Sequence, residues 1–271
     1  MATLKLPANF YRQFDADSSR EVPAEGYGGW ERAAIEIPFE GTAVVVMHAW
    51  AAPPEGKFPG ERRAVEYIPR TDEICRTVFP PLLRTVRASG MHLFHVVGGG
   101  DYFKRLPGYR RAVELAGPAP QARTVPSDPV IAKLNQFRGE NVFPGAGNQA
   151  DVRDYFQQVD FDPNARPVGE EPVAEDTHQL LALCLHHHIS HLVYAGFAID
   201  WCLLMSSGGM LDMSRHGVLC SALRQATTAV ENKETARRQI AKEIGLWRVS
   251  LAFGFVFDVP DFIAALKEPA T

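Results

Sequence analysis

The chain has 271 residues, 46% of them hydrophobic, with a formal net charge of -4 and a pI near 6.1. That content supports a buried core and excludes general disorder, and the charge gives no electrostatic reason to expect a nucleic-acid partner. No apolar run approaches the roughly 20 residues that span a bilayer, and residues 1–10 lack the basic start and apolar core of a signal peptide. Cys75, Cys184, Cys202 and Cys220 form no CxxC pair and show no metal-ligand spacing. Each lies in an apolar, patterned segment, so free thiols in a reducing, cytoplasmic setting are expected.

Residues 1–40 read as an irregular N-terminal extension, with turns at Gly26, Gly28 and Gly29 and a short strand-like run at 33–38. The first strong strand is 43–47, AVVVM, a continuous run suited to a sheet buried on both faces. It ends at His48, after which Trp50, Pro53 and Pro54 take the chain out of the sheet. Residues 72–89 show helical spacing at Ile74, Val78, Leu82, Leu83 and Val86, closed by Gly90; Pro80 and Pro81 predict a kink or a break into two helices. A second strand, 91–97, runs into Gly98, Gly99 and Gly100.

Residues 100–170 are rich in Pro and Gly, with helices expected near 107–115 and 150–157; loops of such length are often functional or cover a site. Alternation then returns. A helix at 177–187, a strand at 191–195, a helix at 199–213 and a strand at 217–222 are expected. A helix at 233–244, a strand at 246–252 and a last helix at 260–266 follow. Strands alternating with helices predict an α/β fold, a doubly wound and mostly parallel sheet with helices on both faces, as one domain over 41–271.

In such sheets ligands gather at the carboxyl ends of the strands. One strand ends at His48, and another leads through Gly196, Ala198, Ile199 and Asp200 to Cys202. A thiol early in a helix that follows a strand sits near partial positive charge and backbone N–H groups, the surroundings a cysteine nucleophile needs. Asp176-Thr177-His178-Gln179-Leu180 and Ala226 to Glu231 add two further matching stretches. With these, residues 40–266 resemble the isochorismatase-like cysteine hydrolases, whose nucleophile turn reads Gly-x-x-Thr-Asn-x-Cys. Ile199 stands for the usual Thr and Asp200 for the usual Asn. The family's general-base Asp aligns with His48, and its Lys falls near Glu175; none of Lys133, Lys233 or Lys242 takes that place.

The resemblance implies a hydrolase acting on a small molecule at an amide-type C–N bond, with Cys202 attacking and His48 in place of the usual base. It also implies an oxyanion hole from N–H groups near Ala198, Ile199 and Asp200, a non-proline cis peptide near Ala198-Ile199, and Glu175 as the third altered catalytic position. No cofactor, nucleic acid or membrane is expected, and a homo-oligomer, dimer or tetramer, is implied. The alternative is a non-catalytic member serving as a binding or oligomeric scaffold.

The individual residues keep a second reading. Cys202 is either a nucleophile or a packed core thiol. His48 is either a base titrating near neutrality or the remnant of a lost site. Asp200 either caps the following helix, the favoured reading, or orients His48. Trp50 and Trp201 either wall a pocket or belong to the core. In the run His186-His187-His188 adjacent helical residues point about 100° apart, so the three rings do not converge on one metal ion. Gly98-Gly99-Gly100 lacks the spacing of a phosphate-binding loop, and Arg237-Arg238 reads as a solvated face.

Overall fold

The computed structural model describes residues 2–121 and 123–268; the last three residues of the expected domain lie outside the described residues. In chain order come β1 (Thr3–Arg12), β2 (Gly29–Pro38), β3 (Thr42–Met47), α1 (Pro59–Ala64), α2 (Ile68–Thr77) and α3 (Phe79–Ser89). There follow β4 (His92–Val96), α4 (Pro107–Ala116), α5 (Pro129–Asn141), α6 (Gln149–Phe156), β5 (Val173–Ala174) and α7 (Thr177–His187). Then come β6 (His191–Phe197), α8 (Cys202–Met205), α9 (Met210–Arg215), β7 (Leu219–Thr228), α10 (Ile240–Ala252), β8 (Val256–Phe257) and α11 (Val259–Lys267).

The strands form one eight-stranded sheet in the order β2-β1-β8-β7-β6-β3-β4-β5. Every neighbouring pair from β8 across to β5 is parallel, so the doubly wound, mostly parallel sheet is present. The winding reverses between β3 and β6, which places a crevice at their carboxyl ends. All of β3 is buried, and its alternate residues enter two cores. Val44 and Val46 pack with Phe79, Leu82 and Val86 of α3 and with Phe262 of α11. Val45 and Met47 pack on the other face with Leu180 and Leu183 of α7 and with Leu246 and Val249 of α10.

Several elements differ from the sequence reading. Residues 1–40 are no irregular arm: β1 and β2 pair antiparallel from Thr3↔Pro38 to Arg12↔Gly29 and extend the sheet beside β8. Leu4, Leu6 and Ala8 alternate into the core, and Asn9 Nδ2 donates to the Val256 carbonyl (3.0 Å) and to Asp258 Oδ2 (2.8 Å). The helix expected at 199–213 is two short ones, α8 and α9, because Ser206, Ser207, Gly208 and Gly209 break it. The strand expected at 246–252 is helical and belongs to α10, where Leu246 and Val249 are buried at three-residue spacing. Glu231 fixes the start of that helix, accepting from Ala241 N (3.0 Å) and Lys242 N (3.1 Å). The break between α2 and α3 falls at Val78, ahead of Pro80 and Pro81 in the first turn of α3.

The amino end of the sheet holds a closed polar network. His191 at the start of β6 lies between Ser221 Oγ (2.8 Å from Nε2) and Thr42 Oγ1 (3.3 Å from Nδ1). The Thr42 hydroxyl donates to the Pro38 carbonyl (2.7 Å), so it accepts from Nδ1–H. Ser221 accepts from Phe255 N–H (3.0 Å) and gives its own proton to Nε2. The network thus assigns a neutral imidazole, in keeping with a pKa that burial pushes down to about 4.

Candidate active site

At the carboxyl edge the strands end in step. Met47 of β3 pairs with Val96 of β4 on one side and Gly196 of β6 on the other, and Val96 pairs with Ala174 of β5. The following residues, Phe197, His48, Val97 and Glu175, therefore form a row with about 4.8 Å per strand. His48 is one strand from the end of β6, whereas Glu175 is two strands away from His48 on the far side, roughly 10 Å. Gly196 is what lets β6 come so close: at φ 122° a Cβ there would lie 1.9 Å from the Met47 carbonyl oxygen.

His48 leaves β3 in the left-handed region, φ 52°, an uncommon state for a residue with a Cβ. Its N–H donates to the Val96 carbonyl (3.0 Å), and its ring stacks on Trp50 with centroids 4.6 Å apart and planes 11° apart. Gly98 leaves room for Nε2, since a Cβ at that position would stand 3.3 Å from it. Trp50 is itself held, donating from Nε1 to the Tyr102 hydroxyl (2.7 Å) and meeting the Phe156 ring edge-on at 5.3 Å. The 100–170 region thus covers this edge, Asp162 N–H donating to the Ala49 carbonyl (2.9 Å) and Ala51 N–H to that of Asp160 (2.9 Å). His48 Nδ1 is buried with no hydrogen-bond partner. Burial pushes this imidazole down to about 4, the backbone bond at Val97 working the other way, so the ring is neutral at pH 7.

Cys202 is half-buried and is the first residue of α8, not one turn inside a long helix. A four-residue helix supplies little macrodipole, and the thiol is pushed up by burial. The Ser206 hydroxyl and the Ala198 backbone N–H bond the sulfur and favour the thiolate, while Asp200 opposes it. The cis peptide lies at Phe197–Ala198, one step before the expected place. Two of the turn's N–H groups are spent within the protein: Ile199 N–H donates to the Thr228 carbonyl (2.8 Å) and Trp201 N–H to that of Ala198 (3.2 Å). The expected oxyanion donor at Ile199 is thereby corrected.

Asp200 neither caps α8 nor meets His48. Its Oδ1 accepts from Val230 N–H (2.9 Å), which ties the nucleophile turn to the loop after β7, and α8 has no side-chain cap. Glu175 accepts from the Tyr109 hydroxyl (2.7 Å) while its N–H donates to Gln179 Oε1 (2.8 Å), so the structure places it with α4 and α7. Trp201 is exposed. His187 packs on His92 with centroids 4.8 Å apart, and among the described residues no group of three or more His, Cys, Asp or Glu has a metal-holding arrangement.

Two further titratable residues, held by tertiary packing, carry no sequence signal. Tyr67, next to the start of α2, is pushed up by burial and then by the negative charges of Cys202, Glu61, Asp200 and Glu66 around it. Glu61 of α1 is buried with Oε2 unpartnered, and burial pushes it up to about 7. In Gly60-Glu61-Arg62-Arg63 it reads as a solvated helix face; only tertiary packing buries it. An open apolar groove of about 390 Å³ begins at Asp200 and runs along Leu204, Met205, Leu211, Ile244 and Phe253.

No protein-family model matches the chain, and no curated protein does. Among solved structures it is similar to a cysteine hydrolase from Pseudomonas syringae pv. phaseolicola 1448A, at 12% identity and a TM-score of 0.48, over 85% of this chain and 94% of that one. It is similar to an isochorismatase-like hydrolase from Alkaliphilus metalliredigens, at 16% identity and a TM-score of 0.48, over 83% and 98% of the two chains. A pyrazinamidase/nicotinamidase from Streptococcus mutans UA159 matches at 11% identity and a TM-score of 0.42, over 80% and 99%. These are proteins of the kind that the sequence resembles. No helix among the described residues is long and apolar enough to cross a membrane.

Proposed function

We propose that the chain is a cofactor-independent cysteine hydrolase that cleaves an amide-type C–N bond of a small molecule. The observation that carries this reading is the pair of groups flanking the topological switch: the Cys202 thiol after β6 and, after β3, a neutral His48 whose Nδ1 is buried and unpartnered. A thiol pushed up by burial needs a base to react at neutral pH, and a neutral imidazole with an open lone pair is one. His48 takes the thiol proton, directly or through one water, as Sγ bonds to the carbonyl carbon. The Cys202 N–H is the donor offered to the developing oxyanion, the Ala198 N–H being turned to the sulfur. The C–N bond then breaks with the proton passing to the departing nitrogen, and water cleaves the thioester to regenerate the thiol and release an acid.

The test is acylation by p-nitrophenyl acetate at pH 7, followed by intact-mass and peptide mapping. One acetyl group per chain on Cys202, formed faster than on Cys75, Cys184 or Cys220 and then hydrolysed, is the expected result. Acetylation that is absent from the folded chain, or spread over all four thiols, would show an ordinary packed cysteine, and the scaffold reading would replace the enzyme.

A further inference from the structure

The turn that carries Cys202 is held from outside itself. Two of its anchors lie at the end of β7 and in the loop after it: Ile199 N–H donates to the Thr228 carbonyl (2.8 Å), and Asp200 Oδ1 accepts from Val230 N–H (2.9 Å). That loop has no strand of its own to rest on, since β7 pairs with β8 only at Ala222 and Leu223. One side chain of α2 fixes it instead. Arg70 Nε donates to the Thr228 hydroxyl (2.9 Å) and Nη2 to the Ala229 carbonyl (3.1 Å). The guanidinium also grips Glu66 with two bonds, Nη1 to Oε2 (3.0 Å) and Nη2 to Oε1 (2.7 Å). The same Oε1 accepts from Glu231 N–H (2.9 Å). Four of the five guanidinium N–H groups are thereby committed.

Arg70 and Glu66 therefore hold Thr228, Ala229 and Glu231, while Asp200 holds Val230 between them. The platform behind the clamp is firm, with Ile68, Thr71, Ile74 and Cys75 of α2 buried. An i, i+4 ion pair on a helix surface contributes little by itself and has no need to leave its helix. Here the fork reaches a hydroxyl 158 residues further along the chain.

We infer that Arg70 is a positioning residue for the hydrolysis proposed above, fixing the loop on which the turn from Ala198 to Cys202 is registered and so the direction of the Cys202 N–H. The inference rests on that reading of Cys202. Arg70 acts at one remove, through Thr228 and Ala229. A donor displaced by about 1 Å can lose on the order of a hundredfold in rate, and the ammonium of a lysine does not reproduce the planar fork.

The experiment compares two reactions of the same thiol. Acylation by p-nitrophenyl acetate passes through a tetrahedral oxyanion and uses the turn's donor, whereas alkylation by iodoacetamide is a direct displacement that forms none. In Arg70→Gln, acylation of Cys202 should fall about thirtyfold while its alkylation at the same pH stays within about threefold of wild type. Arg70→Lys keeps the charge but loses the fork, and should fall nearly as far. Thr228→Val removes only the acceptor hydroxyl; it should fall about fivefold, and adding it to Arg70→Gln should change little further. Equal losses in the two reactions would mean a general loosening of the turn, and unchanged acylation in Arg70→Gln would mean a surface ion pair. Either result overturns the inference and leaves the nucleophile in place. A wild type whose Cys202 is acylated no faster than Cys75, Cys184 or Cys220 would overturn the proposed hydrolase and this inference with it.

Discussion

Two imidazoles lie at opposite ends of adjacent strands, His191 entering β6 and His48 leaving β3. Burial pushes both down to about 4. Their partners differ. His191 has a hydroxyl on each ring nitrogen, and each hydroxyl is anchored to backbone. His48 has a stacked Trp50 and a buried Nδ1 with nothing to bond. The same side chain with the same titration therefore sits in two settings: at the amino edge it is a closed structural lock, and at the carboxyl edge its Nδ1 is left without a partner in a strained backbone. An unpartnered buried nitrogen is a cost that folding alone does not explain.

The comparison breaks most clearly under substitution. His191→Ala removes the centre of the network and leaves a cavity, and should cost about 3–4 kcal/mol in urea denaturation. His48→Asn keeps a residue tolerant of the left-handed region and should cost less than about 1 kcal/mol. Equal losses at the two sites would erase the distinction. The next effect is on pH dependence. Because the folded pKa of His191 lies below the ordinary 6.5, its stability is complete above pH 6.5 and is lost as pH falls toward 4, about 3 kcal/mol in all. The difference between wild type and His191→Ala should narrow over that window, as read by denaturation at each pH; a constant difference would remove the titration from the account.

Glu61 should show the opposite slope. Its folded pKa is raised to about 7, so its contribution is complete below the ordinary 4.5 and is lost as pH rises through 7. Glu61→Gln should therefore gain on the wild type by roughly 2–3 kcal/mol between pH 4.5 and 8. A gap that does not change with pH would mean that the carboxylate is solvated. The smallest effect belongs to Glu175→Gln, which retains an acceptor for Tyr109 and should cost no more than about 1 kcal/mol. Cys202 alkylation should be unaltered in that variant; a tenfold slowing would return Glu175 to the site.

The legible parts were those decided locally. The β-branched run of β3 and the strand-turn-thiol sequence of β6 carry their own pattern, whereas the strand order that sets the switch between them does not. What sequence could not show depends on distant partners. The N-terminal hairpin is held through Asn9 by Val256 and Asp258, nearly the whole chain away, while Pro7 and the glycines near residue 28 argue locally against strands. The segment 246–252 alternates like a strand but follows a helix start fixed by Glu231. At the site, Cys202 and His48 stand at the expected ends of their strands. Asp200 finds Val230 thirty residues on, and Glu61 is buried only because α1 is folded near Tyr67 and Tyr155.

The central claim, that His48 is the base for Cys202, is tested most directly by the rate of iodoacetamide alkylation at Cys202 against pH in wild type and His48→Asn. Assistance by His48 predicts a wild-type rate above that of His48→Asn across pH 5 to 8, the variant following the thiolate fraction and rising about tenfold per unit. At pH 6 the wild type should react about tenfold faster. Superimposable profiles with the same tenfold slope would contradict the claim, leaving His48 as a packed residue and Cys202 as an unassisted thiol.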